Sequence, residues 1–199
     1  MNIIFMRHGE ATNNKDEFLS DKEIYWSILT EKGKEEVLES IKFLPKNITK
    51  IYVSPLPRTI ETANLVYQSN KSIPIVIDNR IREINYGKYS GQKNNEELDN
   101  TRLKQINGDF FTRFGDSGEN KFDIEYRLST FLIDILKSNS LDDTILIISH
   151  GSITSYMKRI LNIKTPHIKT GKIEEFTNLD FNPVLIHLEK LNKLKAKNK

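Results

Sequence analysis

Short apolar runs alternate along this chain with longer segments in which apolar residues recur every three or four positions. The apolar runs predict strands at residues 2–6, 51–53, 75–77, 144–148, 175–176 and 184–188, of which 144–148 is the strongest. The three-to-four spacing predicts helices from Thr30 to a stop at Pro45, from Pro57 onward, and over 95–106, 122–137 and 153–161. Residues 13–28 read as a polar loop with room for a short helix. Strands that alternate with helices predict an α/β sheet covered by helices on both faces.

The length of 199 residues fits one domain. The sequence shows no internal repeat and no low-complexity linker. We therefore assign residues 1–190 to a single α/β domain and residues 191–199 to a Lys-rich tail that we expect to be disordered.

The net charge of +3 comes from the end of the chain. Without the five Lys of residues 190–199, the remaining 25 basic residues face 27 acidic ones. No basic face remains that would favour nucleic acid or an anionic membrane as a partner.

The absence of Cys excludes a disulfide framework, a thiolate metal site and a cysteine nucleophile. The longest strongly apolar run, residues 145–148, is far too short to span a bilayer. Arg7 follows the apolar start directly, so we expect no secretory signal and a cytoplasmic location.

Five chemically capable residues follow predicted strands directly or within a few residues. Arg7 and His8 come after the first strand, and His150 comes after the strongest one. Arg58 follows the second strand and Glu83 follows the third. Because functional groups of open α/β sheets gather at the carboxyl ends of the strands, we expect these side chains to share one crevice.

These residue types suit phosphoryl transfer. Arginine presents a planar, charged fork to phosphate oxygens. A neutral imidazole can attack phosphorus and become a phosphohistidine. A carboxylic acid can protonate the leaving oxygen and then act as a base toward water. No metal is needed if Arg7, Arg58 and His150 stabilise the negative charge.

Several histidine and aromatic residues also have simpler interpretations. Two His could form a zinc site, but the neighbouring Arg cations disfavour it. His167 is interpreted as a loop residue beside a proline, and His187 as a residue within a late strand. Trp26 and Tyr86 are interpreted as packing residues, with a weaker candidacy for the substrate mouth. Tyr89 is interpreted as packing as well.

Several motifs together resemble the histidine phosphatase superfamily, in its phosphoglycerate-mutase-like branch. The opening motif is Arg7-His8-Gly9-Glu10-Ala11-Thr12-Asn13-Asn14, and the closing one is Ser149-His150-Gly151. Between them lie Leu29-Thr30-Glu31-Lys32-Gly33, the block from Ser54 through Arg58 to Thr62-Ala63, Glu83 with Gly87 and Gly91, and Gly118-Glu119 with Arg127.

The resemblance implies a role for each matching residue. It makes His8 the phosphate-accepting nucleophile and Glu83 the proton donor. It makes Arg7, Arg58 and His150 phosphate-binding residues, and Asn14 matches an Asn that contacts the phosphate. It further implies a mainly parallel central sheet, no metal and no cofactor.

Departures from the mutases favour hydrolysis. Ile84 and Asn85 follow Glu83 where true mutases carry a basic residue, although Tyr86 matches the mutase tyrosine. The mutases' insertion with paired Arg is not evident between Gly91 and Gly118. We therefore predict a metal-independent phosphatase that hydrolyses a small phosphorylated metabolite. A phosphoglycerate-type mutase and a non-catalytic phospho-ligand-binding module remain the alternatives.

Overall fold

A five-stranded sheet forms the centre of the computed structural model, which describes residues 1–22 and 25–198. Its strands are β1 (Asn2–Arg7), β2 (Ile48–Val53), β3 (Ile75–Ile77), β4 (Thr144–Ser149) and β5 (Ile173–Phe176). Their order across the sheet is β3-β2-β4-β1-β5. The first four strands are parallel, and β5 runs antiparallel to β1 at one edge. This confirms the predicted α/β fold with a mainly parallel sheet.

Helices connect the strands and cover the sheet. They are α1 (Thr12–Lys15), α2 (Glu31–Ile41), α3 (Pro57–Ser69), α4 (Glu96–Ile106), α5 (Lys121–Ser138), α6 (Gly151–Ile160) and α7 (Asn182–Lys197). Two short 3-10 turns, Asn79–Ile81 and Gly87–Tyr89, follow β3. The Thr30 hydroxyl caps α2 by accepting the Gly33 N–H at 3.0 Å, as its position before the helix predicts. Among the described helices, none combines the length and apolar character needed to cross a membrane.

The three central strands β1, β2 and β4 contribute alternate residues to two different cores, one on each face of the sheet. Ile3 and Phe5 of β1 join one core with side chains from α5, α6 and α7. Ile4 and Met6 join the other core with side chains from α2 and α3. A strand buried on both faces has no polar positions, which explains the unbroken apolar runs in the sequence.

The end of the chain differs from the sequence-based expectation. The predicted strand at 184–188 is wrong, because these residues lie inside α7. Pro183 lies in the first turn of this helix, and Val184 and Leu191 are its fully buried residues, seven positions apart on one face. The same helix continues through Lys197, so the expectation of a disordered tail over 191–199 is wrong for 191–197. Helix α7 packs chiefly against α5. Lys199 lies outside the described residues.

Candidate active site

The two predicted histidines meet because β1 and β4 are neighbours in the sheet. Arg7 and Ser149 are partners at the carboxyl ends of these parallel strands. The backbone N–H of His8 donates to the Ser149 carbonyl at 3.1 Å. One residue further along each chain segment, the His8 and His150 rings lie edge to face with centroids 5.3 Å apart. The register of β1 against β4 therefore brings the two imidazoles next to each other.

Arg58 joins the two histidines from the first turn of α3. Its side chain is 1% exposed, and burial lowers its pKa to about 10, so it remains charged at neutral pH. Nε donates to His8 Nε2 at 3.1 Å, and Nη2 donates to His150 Nδ1 at 3.0 Å. Nη2 also donates to the Ser20 carbonyl at 2.8 Å, and Nη1 donates to the Ser20 hydroxyl at 3.2 Å. Every nitrogen of this guanidinium thus has an acceptor.

Hydrogen bonds fix the protonation of both imidazoles. An arginine only donates, so His8 Nε2 and His150 Nδ1 must carry lone pairs. The other nitrogen of His8 then donates to the Gly9 carbonyl at 2.7 Å, and that of His150 donates to the Ser54 hydroxyl at 2.7 Å. Burial, followed by the charge of Arg58, holds the pKa of each histidine well below its usual range. Both rings are neutral at neutral pH.

Glu83 brings a carboxyl group to the same site. Withdrawal of this carboxyl from water raises its pKa, although the charges of Arg58 and Arg7 act in the opposite direction. The Ile84 N–H donates to its Oε1 at 2.9 Å. A raised pKa favours the protonated form, which is the form that a proton donor needs.

An ion pair supports the segment after Glu83. Arg127 Nε lies 2.7 Å from the Glu119 carboxylate, whose other oxygen accepts the Asn85 N–H at 2.9 Å. The Gly-Glu and Arg of the resemblance are therefore joined to each other. They hold the backbone two residues beyond Glu83.

Arg7 approaches the site from the end of β1. Its Nη1 contacts His167 Nε2 at 3.0 Å and donates to the Ile168 carbonyl at 3.2 Å. Its Nε is buried and has no hydrogen-bond partner within the part of the chain that the structure describes. Because burying an N–H without an acceptor is costly, this group is suited to an anionic ligand.

Close backbone contact explains two glycines of the motifs. A Cβ on Gly9 would lie 2.2 Å from the Gly33 carbonyl oxygen, and a Cβ on Gly33 would lie 1.9 Å from the Glu10 carbonyl oxygen. The start of α2 therefore packs directly on the segment that follows His8. Only glycine permits this distance on both sides.

The remaining predicted site residues have different surroundings. Asn14 Oδ1 accepts the Ala11 N–H at 3.0 Å, which leaves its amide nitrogen as the group that could donate to a ligand. Tyr86 is buried, and its ring lies 5.8 Å from the Arg102 guanidinium. Tyr89 is buried as well, so both tyrosines pack as expected. Trp26 is 65% exposed, so the interpretation of it as a packing residue is wrong.

An open cleft lies beside the helix that carries Asn14. It has a volume of about 550 Å³ and is also lined by Phe18, Lys93 and Arg102. Arg102 links this cleft to Tyr86 through the ring contact. The cleft is a candidate for the substrate mouth.

Several residues of the site were missed by sequence reasoning. Ser54 belongs to a quoted motif, and its spacing from Arg58 could have suggested a role. Ser20, Arg102 and His167 carry no local signal, because only the fold brings them to the site. In residues 1–22 and 25–198, no three His, Cys, Asp or Glu side chains group in a way that could hold a metal.

The arrangement suits a tetrahedral anion beside a nucleophilic nitrogen. Arg58 donates to His8 Nε2 and also contacts the buried imidazole of His150, while the charge of Arg7 acts on His8 from the end of β1. A carboxyl group with a raised pKa lies within electrostatic range of both arginines. Such a set can bind phosphate, attack it and supply a proton.

Comparison with known proteins gives the class to which this fold and site belong. Residues 3–193 match the histidine phosphatase superfamily, branch 1, and the chain belongs to that family. Over 95 residues it is 39% identical to a 2,3-bisphosphoglycerate-dependent phosphoglycerate mutase of Thermoplasma acidophilum. That match covers 47% of this chain and 46% of the mutase, so it spans about half the length of each protein.

Solved structures share the fold at low sequence identity. The alpha-ribazole phosphatase of Shigella flexneri has a TM-score of 0.73 and 22% identity, over 88% of this chain and 89% of that one. A mycobacterial glucosyl-3-phosphoglycerate phosphatase in complex with VO3 has a TM-score of 0.73 and 18% identity, over 87% and 91% of the chains. At these identities the likeness is one of fold.

Proposed function

We propose that this protein is a metal-independent phosphatase that hydrolyses a small phosphomonoester through a phosphohistidine on His8. The observation that carries the proposal is the state of His8. Its ring is buried and neutral, and its Nε2 lone pair is held 3.1 Å from a buried arginine. A site that only bound phosphate would need neither this nucleophile nor the carboxyl group of Glu83.

In the first step, His8 Nε2 attacks phosphorus and the P–O bond to the leaving group breaks. Glu83 gives its proton to the departing oxygen, so the alcohol leaves neutral. In the second step, water attacks phosphorus while the Glu83 carboxylate accepts its proton. The P–N bond breaks, His8 regains its lone pair and inorganic phosphate is released. The net reaction consumes one ester and one water.

The cations of the site stabilise the charge on the transferred group. Arg58 exchanges its bonds to His8 and His150 for phosphate oxygens, and Arg7 offers its buried Nε. His150 becomes the third phosphate-binding residue once its Nδ1 takes up a proton, and the amide nitrogen of Asn14 is the fourth donor. Because these groups already supply positive charge and directed donors, the step requires no metal or other cofactor.

Fold relatives that act on small phosphorylated molecules support a substrate of that class. The two solved relatives are named for alpha-ribazole and glucosyl-3-phosphoglycerate phosphatase activities. The cleft beside Asn14, with Lys93 and Arg102 on its wall, is large enough for a small metabolite.

Trapping the intermediate tests the proposal. Rapid quench of the enzyme with a radiolabelled phosphomonoester is expected to give an acid-labile, base-stable label on the protein. The variant H8A should lose both the label and turnover. H187Q is the matched control, because His187 on α7 pairs with Glu125 on α5, away from the residues proposed for catalysis, and the substitution should leave both intact. Label retained in H8A would contradict the assignment. Activity lost in EDTA and restored by zinc would contradict metal independence.

A phosphoglycerate-type mutase is the second candidate, favoured by the 39% identity to the Thermoplasma acidophilum mutase. A mutase must shield its phosphohistidine from water while it holds a second anionic acceptor. Incubation with 3-phosphoglycerate, with and without a bisphosphoglycerate primer, separates the two activities. We expect release of free phosphate. Rapid formation of 2-phosphoglycerate with negligible phosphate release would establish the mutase instead.

A further inference from the structure

His167 lies on the segment between α6 and β5, where its ring contacts two residues at once. Its Nε2 is 3.0 Å from Arg7 Nη1, and its Nδ1 is 3.0 Å from the Ser155 hydroxyl. The sequence suggested no function for this residue. In the structure, its side chain contacts the guanidinium of Arg7, one of the residues proposed above to bind phosphate.

The hydrogen bonds around His167 define its tautomer. Arg7 can only donate, so Nε2 must accept and the ring proton must sit on Nδ1. That Nδ1–H points to the Ser155 hydroxyl, which in turn donates to the Gly151 carbonyl at 2.9 Å. Along this chain of hydrogen bonds, the donors of Arg7, His167 and Ser155 each meet one acceptor. The neutral imidazole is thereby set with its lone pair toward Arg7.

The backbone around His167 is anchored in the core. Lys158 is 2% exposed; its ammonium group lies 2.8 Å from Glu174 and donates to the Pro166 carbonyl, one residue before His167. Ile168, one residue after it, is buried, and its carbonyl accepts a second bond from Arg7. Although the His167 side chain itself is exposed, its position is fixed from both sides.

Gly151 leaves the space in which this contact forms. A Cβ at Gly151 would lie 2.3 Å from His167 Nε2 and 3.1 Å from Arg7 Cζ. Any larger residue would displace the imidazole from the arginine. The contact between His167 and Arg7 therefore explains why a glycine stands at position 151, without reference to His8 or His150.

We propose that His167 is a positioning residue that orients Arg7 toward the phosphoryl group bound at His8. It occupies Arg7 Nη1 together with the Ile168 carbonyl, so that the buried Nε remains for the ligand. The inference rests on the proposed function in one respect, which is that the ligand is a phosphoryl group.

The charges that face His167 keep it an acceptor at neutral pH. Partial withdrawal of the ring from water, followed by the charges of Arg7 from β1 and Lys158 from α6, lowers its pKa, while Glu174 from β5 acts in the opposite direction. Protonation would place a second donor against Arg7, so the contact requires the neutral ring.

Two variants separate positioning from packing. In H167Q, the amide oxygen can replace Nε2 as an acceptor; in H167F, the ring remains without any acceptor. We expect H167F to weaken the binding of inorganic phosphate about five- to tenfold at pH 7.5, as measured by isothermal titration calorimetry. The affinity of H167Q for phosphate should stay within about twofold of the wild-type value. Both variants should keep the melting temperature of the wild type. A role in packing alone would reverse this order, and equal affinities in all three proteins would overturn the proposal.

The ring's ¹⁵N spectrum provides a readout that does not depend on catalysis or on ligand binding. A protonated Nδ1 and an unprotonated Nε2 are expected for His167 at pH 7.5, assigned by loss of the signals in H167Q. The opposite tautomer would overturn the proposal. If the wild type binds phosphate but hydrolyses no phosphomonoester, the proposed function fails, and the order of the variants still judges the role of His167. If it binds no phosphate, the proposed function fails and the spectrum decides.

Discussion

Arg58 Nε donates at 3.1 Å to His8 Nε2, the atom proposed to attack phosphorus. The same guanidinium holds His150 at 3.0 Å and Ser20 at 2.8 Å. The cation thus keeps the His8 imidazole neutral and oriented. In the proposed reaction, an incoming phosphate takes these donors from the imidazoles and thereby frees the lone pair of His8.

The first prediction concerns this arginine. In R58K, the charge remains but one ammonium group replaces a fork that serves three neighbours, so we expect kcat/KM to fall about 100-fold. Steady-state kinetics with a small aryl phosphate would measure the change. R159K is the control, since Arg159 is an exposed residue of α6 that stacks on Tyr156. Comparable activity in R58K and the wild type would mean that charge alone suffices.

Glu83 should matter most for poor leaving groups. E83Q keeps the shape but cannot give a proton, so we expect a loss of about 100-fold or more with alkyl phosphates and a much smaller one with aryl phosphates. Because the raised pKa of Glu83 keeps the acid form available, the rate of enzyme phosphorylation by alkyl phosphates should fall as pH rises through that pKa. E83Q should lose this alkaline limb in single-turnover measurements. Equal losses with both ester classes would indicate a structural role instead.

Anion binding should draw a proton onto His150. In the free site, burial and Arg58 keep the pKa of His150 well below its usual range, and its Nδ1 accepts from Arg58. A bound dianion favours the charged ring and raises that pKa, so binding at pH 6–8 should take up at most about one proton, and less as pH rises.

Sulfate is the suitable probe because its own charge does not change in this range. Calorimetry in buffers of different ionisation enthalpy would count the protons. H150Q should abolish the uptake, whereas H187Q should retain it. Uptake that persists in H150Q would assign the proton to another group, with His8 the nearest candidate.

The last helix should contribute to stability. Leu191 is fully buried on α7, so L191A is expected to lower the free energy of unfolding by about 2–4 kcal/mol. L185A is the matched control, because Leu185 on the same helix is 49% exposed. Denaturant titration would measure both. A negligible effect of L191A would show that the packing of α7 on α5 is dispensable.

The sequence by itself predicted all five strands of the sheet and the residues that gather at their carboxyl ends. Residues 144–148 are apolar at every position because β4 is buried on both faces, and such a run can be recognised locally. Arg7, His8, Arg58, Glu83 and His150 each lie at or beyond the carboxyl end of a strand, and parallel strands end at one edge of their sheet. Their convergence could therefore be predicted without coordinates.

Only the tertiary structure decided the features that depend on distant contacts. Residues 184–188 are apolar enough for a strand, but α7 forms because Val184 and Leu191 are buried on one side of it while its opposite face meets water. His167 reaches Arg7 across 160 positions of sequence, through a segment fixed by a buried Lys158. Periodicity and strand ends are local properties of a chain, whereas a hydrogen bond between remote side chains exists only once the backbone has been placed around it.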